Sequence, residues 1–200
     1  MRRNLTRNNH YPMKKQECMH MKLKKDIKKM NKTELVKLAT NKIKEDHSDF
    51  NPSLFLRIQA FQDKHGRFVK FSNPVEYVPK NACYYYEAMM RFGNQEFSSL
   101  QTASNPDDFD VVEPQFYRMS REDEMHVQEV LKVMEMPVPR EFLPETSMII
   151  FERDFGYDVT LKTESEKTFF TLDKKTGEIQ ETLHEELAQH DDDCCTEITK

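Results

Sequence analysis

The stretch 157-YDVTLKTESEKTFFTLDKKTGEI-179 constrains this chain more than any other. Apolar and polar residues alternate, break at Glu164-Ser165-Glu166, alternate again, and break at Lys174-Lys175-Thr176-Gly177. Tyr157, Val159 and Leu161 fall on one face, and Asp158, Thr160 and Lys162 on the other. A period of two with tight breaks predicts antiparallel strands with one covered face and one wet face. Gly177 suits the positive-φ position that closes the last turn. The stretch reads first as scaffold, with an open strand edge as a surface for strand addition.

Upstream, Asn31 followed by Glu34 forms a capping box at the start of a helical stripe of Leu35, Leu38, Ala39 and Ile43. That stripe ends before Asn51-Pro52. The runs 54-LFLRIQAF-61 and 67-RFVKFS-72 read as strands around an Asp63–Gly66 turn. Between Asn73-Pro74 and Val78-Pro79 the chain reads as extended but interrupted, because proline cannot donate to a ladder. Strand 82-ACYYYEAMMRF-92 is expected to place Ala82, Tyr84, Tyr86, Ala88, Met90 and Phe92 on one face. Cys83, Tyr85, Glu87, Met89 and Arg91 then take the other. Residues 93–119 carry no regular pattern and read as a linker or long loop.

A second helix is predicted from Ser120, with Asp123 in the box position and Val127, Val130, Leu131 and Met134 as its stripe. A proline-punctuated connector, 137-PVPREFLP-144, and strand 147–153 lead into the opening stretch. Ile179, Leu183 and Leu187, four apart, favour a helix over a last strand. The expected fold is α+β: two helix-plus-antiparallel-meander units at 31–92 and 120–187, after a basic, disordered leader at 1–30 and before a loose acidic tail at 188–200.

A helix followed by an antiparallel meander is the cystatin-like layout. The 157–179 stretch resembles the closing hairpin of PepSY-type modules, which end in an Asp-x-x-Thr-Gly-x-Ile turn; Asp173, Thr176, Gly177 and Ile179 match it. The resemblance implies a non-enzymatic protein that binds, inhibits or regulates a partner, and it carries over no catalytic residue.

Charge is unevenly spread. Residues 1–32 hold eleven Lys/Arg against two acids, while the whole chain has 30 basic and 35 acidic residues. The body is therefore acidic, which repels nucleic acid and suits a basic protein partner. Nucleic acid would be met only through Lys22, Lys24, Lys25, Lys28 and Lys29. No apolar run reaches the ~20 residues of a membrane span, and no apolar segment follows Met13 or Met21 as in a secretion signal. Cys18, Cys83, Cys194 and Cys195 lack disulfide-framework spacing and read as reduced thiols, which places the protein in the cytoplasm.

The tail 190-HDDDCC-195 mixes zinc-donor types without zinc spacing, so no metal and no cofactor are expected. Walker, dinucleotide, nucleophile-elbow and HExxH motifs are absent from the sequence, and no catalytic residue is predicted. The expected function is a protein-binding module, an inhibitor or immunity-type protein that occludes its partner being one concrete form. Its candidate surface is Tyr85 and Met89 with Asp158, Thr160 and Lys162. The alternative is an NTF2-like domain with a pocket for a small ligand, lined by Tyr84, Tyr86 and Phe92 around a buried carboxylate.

Overall fold

The computed structural model describes residues 27–93, 96–105, 112–187 and 195–199. Both predicted helices form where their caps place them. In α1 (Lys32–Asp46) the Asn31 side chain accepts from the Glu34 amide at 3.0 Å, and Glu34 accepts from the Asn31 amide at 3.0 Å. In α2 (Arg121–Val133) Ser120 and Asp123 make the same reciprocal pair. Each box satisfies two amides that the helix leaves unpaired.

Each helix covers one face of a five-stranded sheet. The first sheet is antiparallel, built from β1 (Arg57–Asp63), β2 (Gly66–Ser72), β4 (Ala82–Gly93), β5 (Phe97–Asn105) and β10 (Thr196–Glu197), in the order β10-β1-β2-β4-β5. Leu35, Ala39 and Ile43 of α1 bury against Ala60, Val69, Phe71, Ala88, Met90 and Phe92 of this sheet. The second sheet is mixed, built from β3 (Val75–Val78), β6 (Ser147–Glu152), β7 (Gly156–Lys162), β8 (Glu166–Asp173) and β9 (Ile179–Glu186) in the order β3-β6-β7-β8-β9. Val127, Val130 and Leu131 of α2 cover it on Val75, Tyr77, Met148, Ile150, Tyr157, Val159 and Leu172.

The faces turned away from the helices meet each other. Val78, Ala82 and Ala103 are buried there, with Tyr84, Tyr86, Ile149 and Phe151 packed around them. The layer order across this contact is helix, sheet, sheet, helix.

The disordered leader expected at 1–30 ends earlier, since Ile27 is buried in the core beneath α1 and Arg67 donates to the Ile27 and Met30 carbonyls, while residues 1–26 lie outside the described residues. Four further sequence expectations give way. The 93–119 stretch contains β5, which pairs with β4 from Ala82↔Asn105 to Arg91↔Phe97. The tail beyond residue 194 contributes β10, paired with β1 at Phe61↔Glu197; residues 188–194 lie outside the described residues. Residues 179–186 form a strand rather than a helix. A spacing of four fits a period of two as well as 3.6, and the Asp173–Gly177 turn delivers the chain back onto β8. There the Asp173 carboxylate accepts from the Lys175 and Thr176 amides at 2.7 Å each. Those bonds consume the Asp173 carboxylate and hold it below the usual carboxylate range, so this turn is scaffold.

The fourth concerns the proline-bracketed segment. Val75–Val78 is a true strand, buried at all four positions, and pairs in parallel with β6 from Val75↔Met148 to Val78↔Phe151. It leaves the first sheet after β2, completes the edge of the second, and returns as β4. Pro74 does not interrupt it, because the carbonyl of Pro74 accepts from the Met148 amide at 2.8 Å. The two units are thus interlocked rather than consecutive. Among the described residues no helix is long and apolar enough to cross a membrane.

Candidate functional site

One extra residue in β4 turns Tyr85 and Met89 to opposite faces. The β4–β5 register runs Tyr85↔Thr102 and then Glu87↔Gln101, so Tyr86 is bulged out of the ladder. A bulge reverses the facing of everything beyond it. Tyr84 and Tyr86 therefore join the inter-sheet contact, whereas Ala88, Met90 and Phe92 join the core beneath α1. The face expected to carry Tyr84, Tyr86 and Phe92 together is split. Tyr85 turns toward the α1 side, half-buried against Phe116 at 4.8 Å and His47 at 5.9 Å between ring centroids. Met89 lies between the core residues Ala88 and Met90 and so faces the opposite way from them.

Asp158 accepts from Arg153 Nε at 2.7 Å and is half-exposed. Thr160 pairs with Ile149 on one side and Phe169 on the other. Lys162 lines the smaller of the two concavities beside β3. Lys28 and Lys29 are exposed, and Lys22, Lys24 and Lys25 lie outside the described residues.

Two concavities flank β3. The larger is a groove of about 710 Å³ between the units. One wall is α2 with the following connector: Val127, Leu131, Met136 and Val138. The facing wall carries Leu54 and Leu56, and Val75 contributes from β3. Leu56 is 57% exposed and Val138 54% exposed at its edges. Arg118, Lys132 and Arg140 add positive charge to the lining, against Glu124 and the buried Glu76.

The smaller cavity, about 160 Å³, lies between the sheets and is lined chiefly by polar residues, Lys70, Tyr86, Glu87 and Lys162 among them. Only Asn73 and Glu76 belong to both linings. Arg57 fixes the rim of this cavity. Its guanidinium donates to the carbonyls of Phe142, Leu143, Pro144 and Thr146 at 2.7–3.1 Å, tying β1 to the connector before β6.

Glu76 is the most perturbed carboxyl at the site. It is 7% exposed, and burial raises its pKa to about 8, the hydrogen bond from Asn73 acting in the opposite direction. Burial also pushes the Tyr84 and Tyr86 hydroxyls up. A second polar cluster sits under α2. Tyr77 stacks on His126 at 5.5 Å, and the Tyr157 hydroxyl lies 3.0 Å from His126 Nδ1. Burial pushes Glu152 up, but the Lys174 ammonium at 3.0 Å and the Tyr77 hydroxyl outweigh it and hold the carboxyl below its usual range. Neither concavity is lined by these residues. Among the described residues no group of three or more His, Cys, Asp or Glu is placed to hold a metal ion.

Comparison with protein-family models, curated proteins and solved structures finds no match for this chain.

Sequence reasoning missed Leu56, Asn73, Glu76 and Val138. Leu56 reads as part of an apolar strand face, and only the start of β1 at Arg57 leaves it outside. Val138 stands between Pro137 and Pro139, which mark an irregular connector without fixing where its side chain points.

Proposed function

We propose that this chain is a non-enzymatic binding module that docks a segment of another protein in the groove between its two units. One observation carries the reading: a groove of about 710 Å³ keeps Leu56 and Val138 more than half exposed on its edges. Large side chains held in water at a concave surface are what an interface buries. The cystatin-like and PepSY-like resemblance points to the same class of activity.

The groove also states its partner's chemistry. The body as a whole is acidic, which favours a basic protein. The lining is the local exception, with Arg118, Lys132 and Arg140 against Glu124 and a Glu76 that is largely protonated at neutral pH. The docked segment is therefore apolar along one side and acidic at its flanks, and the acidic body steers a partner whose other surfaces are basic.

A display library of random peptides tests this. Selection on the full chain should enrich sequences that combine large apolar residues with Asp and Glu. Their binding should weaken at least tenfold in Val138→Glu and in Leu56→Glu, about 1.4 kcal/mol or more. Enriched peptides that bind both variants as tightly as the parent, or no enrichment at all, would remove the groove from consideration.

A further inference from the structure

Glu76 poses a problem that a docked peptide does not solve. It lies on a fully buried strand and is 7% exposed. Asn73 Nδ2 donates to its Oε1 at 2.7 Å. Asn73 is fixed in that orientation, because its Oδ1 accepts from the Leu56 amide at 2.8 Å and its NH₂ must therefore face the carboxyl. An ionised carboxylate has about four acceptor positions, and one neutral donor leaves it far from satisfied.

The cations around the inter-sheet cavity do not make up the deficit. Lys70 pairs with Glu87 at 2.7 Å, and Arg57 spends its guanidinium on backbone carbonyls, with Glu145 as its charged neighbour. Lys162, on β7, makes no ion pair among the described residues and is exposed. On the groove side the charged groups are Arg118, Glu124, Lys132 and Arg140. No neighbouring charge contributes to the titration of Glu76, which burial and Asn73 alone determine.

We infer that the cavity between the two sheets is a binding site for a small molecule bearing a primary ammonium group, which is held against the Glu76 carboxylate. An ammonium supplies up to three donors and the counter-charge that this buried group lacks. The space, about 160 Å³, suits a compact molecule rather than a macromolecular side chain with its backbone. With Glu76 ionised, the cavity's three carboxylates, Glu76, Glu87 and Glu145, already balance Arg57, Lys70 and Lys162, so a bound ammonium leaves one positive charge in excess, which a carboxylate on the same ligand offsets. A ligand that also carries a carboxylate finds Lys162 for it. The cationic side of the groove disfavours entry of an ammonium from that direction.

Binding would convert Glu76 from acid to carboxylate while the ligand stays protonated. Close to one proton should then leave the protein at pH 7, because the carboxyl titrates at about 8. Affinity should rise about tenfold per pH unit below that value and level off above it.

Titration calorimetry of the full chain tests this, using ethanolamine, glycine, alanine and serine as probes and propionate as the amine-free control. Parallel runs in phosphate and in MOPS measure proton release. We expect the amine probes to bind with near-unit proton release and propionate to show no binding. Glu76→Gln, which keeps the shape of the protonated acid, should weaken the amine probes at least tenfold. Amino acids binding more tightly than ethanolamine, with Lys162→Ala removing the advantage, would identify an amino-acid site; equal affinities would identify a simple-amine site. The inference is overturned if no amine binds at pH 8.5 more tightly than about 10 mM. Binding without proton release, equal binding of propionate, or unchanged binding to Glu76→Gln overturns it as well.

Discussion

Asn73 donates its side-chain amide to Glu76 at 2.7 Å and divides the groove from the inter-sheet cavity together with it. The pair is an amide facing a carboxyl that burial has made a weak acid, titrating at about 8 instead of 4.5.

The stability of the protein should therefore depend on pH with an unusual sign. An acid whose folded pKa is raised binds more protons when folded than when unfolded. Stability then falls as pH rises from about 4.5 to about 8, and is flat outside that window. The contribution is on the order of 5 kcal/mol across the window. Other groups titrate too, so the measurement is a difference: urea melts of the parent and of Glu76→Gln at pH 5.5, 7 and 9. The parent should lose stability relative to the variant as pH rises. Parallel curves would mean that Glu76 is ionised in the folded protein.

Arg57 should behave as a structural clamp. Its four carbonyl partners lie in the connector between the single turn Pro139–Glu141 and β6, where no ladder holds the chain. Arg57→Ala should cost about 2–4 kcal/mol, since charge-assisted bonds are lost and carbonyls are left behind. Arg57→Lys should recover less than half of that, because an ammonium is a point donor and cannot span four acceptors. Recovery of full stability by lysine would show that charge alone matters there.

Tyr85 gives a prediction opposite to the one its sequence suggests. As an exposed interface residue it could be truncated without loss of stability. Its ring instead packs on Phe116 at 4.8 Å beside the α1 core, so Tyr85→Ala should lower stability by about 2–3 kcal/mol. Val138→Glu, by contrast, changes a residue 54% exposed and should stay within about 0.5 kcal/mol of the parent. Chemical melts of the two variants side by side decide it. A neutral Tyr85→Ala would return that residue to the list of surface candidates.

The parts of the fold legible in the sequence are those with local causes. Asn31 with Glu34, and Ser120 with Asp123, announce their helices through bonds made within three residues. The alternation from Tyr157 to Asp173 announces β7 and β8 because one face is wet. What escaped depends on distant partners. Val75-Glu76-Tyr77-Val78 shows no alternation, since both its faces are buried and its ladder partner is β6. The bulge at Tyr86 leaves no trace in a run of three tyrosines, yet it moves Tyr86 to the cavity and Phe92 to the core. The candidate site was illegible for the same reason: Glu76 becomes chemically unusual only when a strand from one unit is buried in the sheet of the other.

That exchange of β3 predicts how the protein unfolds. Tyr77 is 1% exposed and stands in the core beneath α2, although α1 and the rest of its neighbours in sequence belong to the other sheet. Removing the strand from the second sheet pulls on β2 and β4 directly, because it is continuous with both. The two units should therefore melt as one. Calorimetry of the full chain should give a single transition whose van't Hoff and calorimetric enthalpies agree. Tyr77→Ala should cost about 3–5 kcal/mol and shift that whole transition downward. Native-state hydrogen exchange supplies the second readout, in which amides of α1 and of β7 should both lose protection in the variant. Two resolved transitions, or faster exchange confined to the second sheet, would mean that the units hold their folds independently and that β3 is only an edge laid against one of them.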